Sequence, residues 1–156
     1  MILSLKIQNY TLIDSLEVEF QRGFSVITGE TGAGKSIILG ALSLLLGQRA
    51  DANAVKNGEK KSIVEGVFDI SGYGLCDFFK ENDIEYDERE CILRREISVT
   101  GKSRAFINDT PVSVSIIKLL GSRLVDIHSQ HQNLLLSNTD FQLSVLDLVA
   151  DNKQIL

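Results

Sequence analysis

One stretch of the sequence has the residue types and spacing that bind the phosphates of a nucleoside triphosphate: Gly29, Glu30, Thr31, Gly32, Ala33, Gly34, Lys35 and Ser36. Its glycines let the backbone take positive φ angles and approach a ligand closely, so several N–H groups can face an anion. Lys35 would reach the β- and γ-phosphates, and the Ser36 hydroxyl would ligate Mg²⁺. The stretch therefore predicts a P-loop that binds a nucleoside triphosphate together with Mg²⁺.

The elements on either side of the P-loop would hold it in place. An apolar run at residues 24–27 predicts a strand that leads into the loop, and residues 36–46 predict a helix that leads out of it. Because this helix is apolar on nearly all sides, we expect it to be buried on most faces. Gly47 is placed to end the helix as a C-cap.

The composition is that of an ordinary globular domain. The chain has 156 residues, of which 44% are hydrophobic and 24% charged, enough for one domain with a sizeable core. It contains no apolar run near the ~20 residues of a membrane span and no secretory signal pattern, so we expect no membrane partner. Cys76 and Cys91, the only cysteines, are expected to be free thiols. The net charge of −5 argues against a surface that coats nucleic acid, but it leaves room for a local basic patch.

The remaining elements follow from hydrophobic periodicity. Alternating apolar residues at 3–7 and 16–20 predict an antiparallel hairpin before the P-loop, and the polar residues 48–58 are predicted to be irregular. Three of the polar residues are candidates for function: Arg49, Asp51 and Lys56. Strands are predicted at 61–70, 91–97, 103–107 and 124–127, a turn at Asn108-Asp109, and helices at 75–82, at 116–120 (N-cap Ser113, end Gly121) and from Thr139. The pattern predicts an α/β fold with a mixed sheet flanked by helices.

Hydrolysis of the nucleotide needs more than a P-loop. It also needs an acidic residue at the end of a neighbouring apolar strand, the Walker-B acid, and a group that orients water. The nearest candidates, Asp69 and Asp126, follow only short apolar runs, and a Ser-Gly-Gly-like ABC signature is absent. The chain is therefore half of a site, a self-contained small NTPase or nucleotide kinase with Asp126 holding Mg²⁺, or a non-catalytic module that keeps the P-loop.

Four stretches of the chain together resemble a known family: residues 29–36, 46–51, 104–109 and 126–132. They are similar to the N-terminal lobe of the ATPase head in SMC-like ABC ATPases, and in detail to the RecN family of bacterial recombination and repair proteins. The resemblance implies that residues 1–138 form the N-terminal lobe of a P-loop NTPase head. It implies that residues 139–156 begin a helix that leads toward a coiled coil.

The resemblance also implies cofactors and partners. The Walker-B acids and the signature motif would lie in a C-terminal lobe of the same protein, and two heads would form a head-to-head homodimer around ATP and Mg²⁺. The whole protein would hydrolyse ATP in the repair of DNA double-strand breaks, in the cytoplasm and associated with the nucleoid. The chain alone would bind ATP without turning it over.

By the same resemblance, Gln130 is the Q-loop residue, catalytic with Lys35, that reaches Mg²⁺ and the attacking water. An amide suits this role because it can both accept and donate hydrogen bonds. His128 and His131 flank Gln130 without partners at metal-ligand spacing, so we interpret them as loop residues. Lys56 falls near a position where relatives have an arginine, and a lysine there would lack the bidentate fork.

Relatives in this family bind DNA across the joined heads. A basic cluster on the predicted 91–107 hairpin is therefore a candidate for contacts with DNA phosphates: Arg94, Arg95, Lys102 and Arg104. The alternative interpretation of these residues is that they are ordinary exposed charges.

Overall fold

The computed structural model describes residues 1–28 and 34–127. The chain divides into two compact units, Met1–Asp126 and Ile127–Leu156, and every described strand and helix lies in the first. The predicted boundary at 138/139 and the predicted helix from Thr139 lie outside the described residues. Within those residues, no helix is long and apolar enough to cross a membrane.

A six-stranded sheet is the centre of the first unit, and its strands follow the order β2-β1-β3-β4-β5-β6. All of its pairs are antiparallel. The strands are β1 (Ile2–Tyr10), β2 (Ile13–Glu19), β3 (Lys61–Asp69), β4 (Glu90–Ser98), β5 (Ser103–Ile107) and β6 (Thr110–Val112). The predicted N-terminal hairpin and the strands predicted within 61–107 are confirmed.

The far edge of the sheet is a tight meander. Asn108 and Asp109 both have positive φ angles, 47° and 62°, and join β5 to β6 as the sequence predicted. The Asn108 side chain accepts a hydrogen bond from the N–H of Ile92 (2.8 Å) and donates one to the carbonyl of Glu85 (2.9 Å). The short strand β6 was not predicted, because three residues that include Pro111 give no alternation to detect.

The α-helices of the described residues are α1 (Gly34–Leu45), α2 (Cys76–Glu81) and α3 (Val114–Leu124). α1 and α3 pack on the sheet, and α2 adds Phe78 and Phe79 to the same core. α1 packs on β1, β3 and β4. It lies so close to β3 that a Cβ added to Gly66 would stand 2.6 Å from the Cδ2 atom of Leu45. A glycine at this position lets the helix rest directly on the strand.

The helix ends show how α1 and α3 meet. Gly47, with φ +96°, caps α1 as predicted, and a Cβ there would lie 2.7 Å from the Cβ of Lys118 in α3. Ser113 caps α3 by accepting from the N–H of Ile116, also as predicted. The prediction that α3 ends at Gly121 is wrong. Gly121 lies inside the helix, where α3 packs closely against Leu46. A Cβ added to Gly121 would lie 3.1 Å from the Cδ2 atom of Leu46, so this position favours glycine.

Two predicted strands do not form. Residues 24–27 have no strand structure, and Phe24 is 93% exposed and Val26 66% exposed. Leu124 is the last residue of α3, so 124–127 is not a strand either. The sequence also predicted a mixed sheet, whereas the described strands contain no parallel pair. An apolar run becomes a strand only where a neighbouring strand accepts its hydrogen bonds.

The two faces of the sheet have different roles. The inner face, covered by the helices, carries the core residues Leu5, Ile7, Val64, Phe68, Leu93, Ile97, Ala105 and Ile107. The outer face carries the alternate residues, among them Lys6, Glu65, Arg94, Glu96 and Phe106. The prediction that α1 is buried on most faces is wrong, because α1 has the sheet on one side only and Leu39 is 50% exposed.

Candidate functional site

The start of α1 contains the last three residues of the P-loop motif. Gly34, Lys35 and Ser36 form its first turn, with Lys35 half-buried and Ser36 exposed. Residues 29–33 lie outside the described part of the chain, so the loop itself stays a prediction. The first N–H groups of a helix have no intrahelical acceptor, and the helix dipole adds positive potential there. The start of α1 is therefore suited to bind an anion.

Contacts with the first hairpin fix the direction of α1. The hydroxyl of buried Tyr10 faces Gly40, where a Cβ would lie only 3.3 Å away. Burial, and to a lesser extent the charge of Asp51, raises the pKa of Tyr10. Since α1 meets Tyr10 near its middle and Gly66 near its end, it begins at the end of the sheet where β3 starts.

The irregular segment after α1 is tied to the same hairpin. The Asp51 carboxylate accepts from the N–H of Asn53 (2.9 Å) and caps a short 3₁₀ helix, Ala52–Ala54. Lys56 forms an ion pair with Asp14 of the hairpin, and its N–H donates to the carbonyl of Asn9 (2.9 Å). Both candidates therefore have structural partners, and the charge of Lys56 is compensated within the hairpin.

The candidate acids take different positions. Asp69 ends β3 at the opposite end of the sheet from the start of α1. Its pKa is lowered first by hydrogen bonds from Ser71 and then by Arg22, whose guanidinium lies 3.2 Å away. Asp126 is exposed and follows α3 outside any strand. Gln130, His128 and His131 lie outside the described residues. Within the described ranges, no group of three or more His, Cys, Asp or Glu side chains could hold a metal ion.

The basic cluster predicted on the hairpin is split by the sheet. Arg94 is on the outer face, where its guanidinium meets Asp109 (2.8 Å), Glu65 (3.8 Å) and Glu96 (3.9 Å). It also lies 4.6 Å from the ring centroid of Phe106. These carboxylates compensate its charge.

Arg95 points to the inner face and is 0% exposed. Its Nη2 donates to the Ser103 hydroxyl (2.8 Å), whereas Nε and Nη1 have no hydrogen-bond partner in the described part of the chain. Burial lowers its pKa. The four cations predicted as candidates for DNA contacts therefore do not form one cluster, because neighbouring residues of a strand face opposite sides and Arg95 is buried.

Lys102 and Arg104 are exposed, and the fold adds two lysines to them that sequence reasoning missed. A cavity of about 290 Å³, here called the basic pocket, is lined by Lys60, Lys61, Glu96, Ile97, Ser98, Lys102 and Arg104. The lysine pair at the start of a predicted strand was visible, but its position beside the 99–102 turn depends on the β3–β4 register.

Comparisons with known proteins identify the family of this chain. Residues 4–153 match the model of the AAA domain family, so the chain belongs to this family of nucleotide-binding ATPase domains. Over 156 residues, all of the chain, it is 42% identical to the DNA repair protein RecN of Vibrio cholerae. It is 41% identical over 151 residues to the DNA repair protein RecN of Bacillus subtilis. The resemblance inferred from the sequence is confirmed.

The extent of these matches differs between the chains. The chain covers 28% of the Vibrio cholerae relative and 26% of the Bacillus subtilis relative, so it spans just over a quarter of their length. A solved structure from work on ATP-driven dimerization and DNA-stimulated activation of SMC ATPases matches with a TM-score of 0.65 at 19% identity. That match covers 95% of this chain and 98% of the other. It confirms the predicted fold of an SMC-like ATPase head.

Proposed function

We propose that the chain is the ATP-binding N-terminal lobe of a two-lobed ATPase head and that the whole protein acts in repair of DNA double-strand breaks. One observation carries the proposal: a P-loop motif whose Lys35 and Ser36 begin a helix, in a chain similar over its whole length to RecN proteins. The whole protein would work in the cytoplasm, associated with the nucleoid.

The proposed chemistry is positioning and charge neutralisation. Backbone N–H groups of residues 29–34 and the Lys35 ammonium would hold the phosphates, and Lys35 would offset the charge that develops on the γ-phosphate. The Ser36 hydroxyl and the Gln130 amide oxygen would hold Mg²⁺, which accepts neutral oxygen ligands alongside phosphates and water. Gln130 would also orient the attacking water. Mg²⁺ would supply electrostatic stabilisation of the phosphoryl group.

Within residues 1–28 and 34–127, neither of the two candidate acids ends a strand beside the start of α1. Asp69 is at the wrong end of the sheet, and Asp126 follows no strand, which disfavours the self-contained NTPase. The exposed apolar residues 24–27 lead directly into the P-loop and suit a neighbour supplied from elsewhere in the protein. We therefore infer that a C-terminal lobe completes the head, that residues 139–156 lead toward a coiled coil, and that ATP joins two heads.

Nucleotide binding tests the proposal directly. We expect Lys35→Ala to weaken Mg-ATP binding by about a hundredfold or more, since it removes charge-assisted hydrogen bonds to phosphate. Isothermal titration calorimetry on the purified chain measures the affinity. Lys102→Ala is the matched control, because it removes a lysine from the basic pocket and should leave the affinity unchanged. A Lys35→Ala affinity within a few-fold of the wild type would contradict the P-loop assignment.

Turnover separates this proposal from the self-contained NTPase. The chain alone should bind ATP without hydrolysing it, and a separately produced C-terminal lobe should restore hydrolysis. Steady-state phosphate release measures both. Hydrolysis by the chain alone that disappears in Asp126→Ala would establish the alternative.

A further inference from the structure

We propose that Arg95 is a specificity-determining residue of the nucleotide site: its buried positive charge strengthens the binding of phosphates at the start of α1 and favours Mg-ATP over Mg-ADP. The inference rests on the proposed function and adds to it a residue outside the P-loop motif. In the sequence Arg95 was a candidate for contacts with DNA, a role that its complete burial does not allow.

The charge of Arg95 is not compensated by any acidic group in the described part of the chain. The side chain is 0% exposed, no acidic side chain of residues 1–28 and 34–127 is buried with it, and it forms no ion pair among them. Its one hydrogen-bond partner there is neutral, the hydroxyl of Ser103 at 2.8 Å, and Nε and Nη1 have none. A guanidinium keeps its proton in proteins even where burial lowers its pKa, so the inner face of the sheet contains a full positive charge.

The guanidinium of Arg95 points toward the end of the sheet where α1 begins. The Ser103 hydroxyl that it reaches is opposite Ile97 in the register of β4 with β5, two residues further toward the 99–102 turn. β3 starts at this end of the sheet, and α1, which packs on β4, begins there as well. The buried charge therefore lies on the face that α1 covers and is directed toward its first turn.

The stability of the fold does not account for an arginine at this position. A buried charge with a single neutral partner costs free energy, and an apolar side chain of similar volume in its place is often neutral or stabilising. Departures of this kind from the rules of packing are expected at functional sites. The function nearest to Arg95 is the proposed binding of phosphates at the start of α1, where unpaired N–H groups and the helix dipole already favour an anion.

A charge in the protein interior can act on the ligand without touching it. Its field is screened less than that of an exposed charge, so Arg95 adds positive potential at the start of α1. Mg-ATP carries about one negative charge more than Mg-ADP, and the Coulomb energy is proportional to the charge of the ligand. The buried guanidinium therefore favours the triphosphate, whereas contacts with the base or the ribose would favour both nucleotides equally.

Isothermal titration calorimetry of the purified chain with Mg-ATP and with Mg-ADP tests the inference. We expect Arg95→Met to raise the Kd of Mg-ATP by about tenfold and that of Mg-ADP by only about threefold. Arg95→Gln, which is neutral but keeps an amide that can donate to Ser103, should give the same two changes. The pair of variants keeps the inference testable where one of them does not fold, and urea unfolding of each variant reports on its fold.

Arg94→Met is the matched control. It is the same substitution at the neighbouring residue, but on the outer face, where Asp109, Glu65 and Glu96 already compensate the charge. Both dissociation constants of this variant should equal those of the wild type.

The outcomes separate this inference from the proposed function. Wild-type dissociation constants in the folded Arg95 variants, an equal loss for Mg-ATP and Mg-ADP, or an Arg94→Met effect as large as that of Arg95→Met would overturn the role of Arg95 and leave the P-loop assignment in place. A wild-type chain that binds neither nucleotide would overturn the proposed function itself.

Discussion

Arg94 and Arg95 are neighbours in the sequence and have opposite environments in the fold. Arg94 lies among three carboxylates and an aromatic ring on the outer face of the sheet. Arg95 lies among apolar side chains on the inner face, with one hydrogen bond to Ser103. Consecutive basic residues of a strand therefore lie on opposite faces of the sheet. The register of the sheet determines which side chains on the neighbouring strands each of them contacts.

The outer face is a row of alternating charges. In the register of the sheet, Glu17 is opposite Lys6, Lys6 is opposite Glu65, and Glu65 is opposite Arg94. The Lys6–Glu17 and Arg94–Glu65 pairs are both 3.8 Å apart and partly exposed to solvent. Exposed pairs of this kind contribute little stability each, roughly 0 to 1 kcal/mol. The charges of the outer face therefore favour the observed register of the strands and contribute little to the stability of the fold.

The inner face carries most of the stability, and Phe68 gives the largest expected effect. We expect Phe68→Ala to lower the free energy of unfolding by about 3 to 5 kcal/mol, because Phe68 is fully buried and its removal leaves a cavity. Urea unfolding of the purified chain measures the change. Val99→Ala, at a site that is 55% exposed, should cost less than about 0.5 kcal/mol. An equal decrease in the free energy of unfolding for the two variants would contradict the expectation that the buried face carries most of the stability.

The two arginines give a smaller effect with opposite signs. Arg95→Met removes a buried charge that has one neutral partner, so we expect the free energy of unfolding to stay equal or to rise by about 1 to 3 kcal/mol. Arg94→Met removes partly exposed ion pairs and should lower it by about 1 kcal/mol or less. Thermal melts and urea titrations of both variants measure the difference. A loss above about 3 kcal/mol in Arg95→Met would mean that its guanidinium is fully paired in solution.

Cys91 gives an effect that is absent at neutral pH and appears only as the pH rises. It lies on the inner face opposite Phe68, and burial raises the pKa of its thiol from 9.0 to about 12. The unfolded chain therefore loses this proton above pH 9 while the folded chain keeps it, so stability is present below pH 9 and falls as pH rises toward 12. Between pH 8 and pH 10 we expect the wild type to lose about 1.4 kcal/mol relative to Cys91→Val. An equal decrease in the free energy of unfolding of both proteins between pH 8 and pH 10 would show that the Cys91 thiol does not contribute to the pH dependence.

The elements with strong alternation of apolar and polar residues could be predicted from the sequence. Features that depend on contacts with other parts of the fold could not. The first hairpin and the strands within 61–107 were predicted because their apolar residues alternate and turn residues separate them. Residues 24–27 are equally apolar, but no described strand accepts their hydrogen bonds. Gly121 was predicted to end α3 because glycine is common after helices, whereas in the structure it lies inside α3 and packs against Leu46.

The candidate site follows the same division. The P-loop residues were recognisable because the chemistry of phosphate binding requires those residue types at that spacing. The basic pocket was not, since Lys60 and Lys102 become neighbours only through the pairing of β3 with β4 and the turn that follows. The burial of Arg95 was missed, although Cys91, Leu93 and Ile97 at two-residue spacing mark its side of β4 as the apolar one.

The position of β1 between β2 and β3 determines when the lobe can fold during synthesis. β2 follows β1 immediately, but β3 is made only after α1 and the irregular segment. At ordinary translation rates this leaves one edge of β1 unpaired for a time on the order of seconds, and a lone two-stranded hairpin is marginally stable in water. α1 packs on β1, β3 and β4, so its packing surface is complete only after β4 has left the ribosome. The proposed capacity to bind ATP would therefore be acquired late in synthesis, although the residues proposed to bind it are made early.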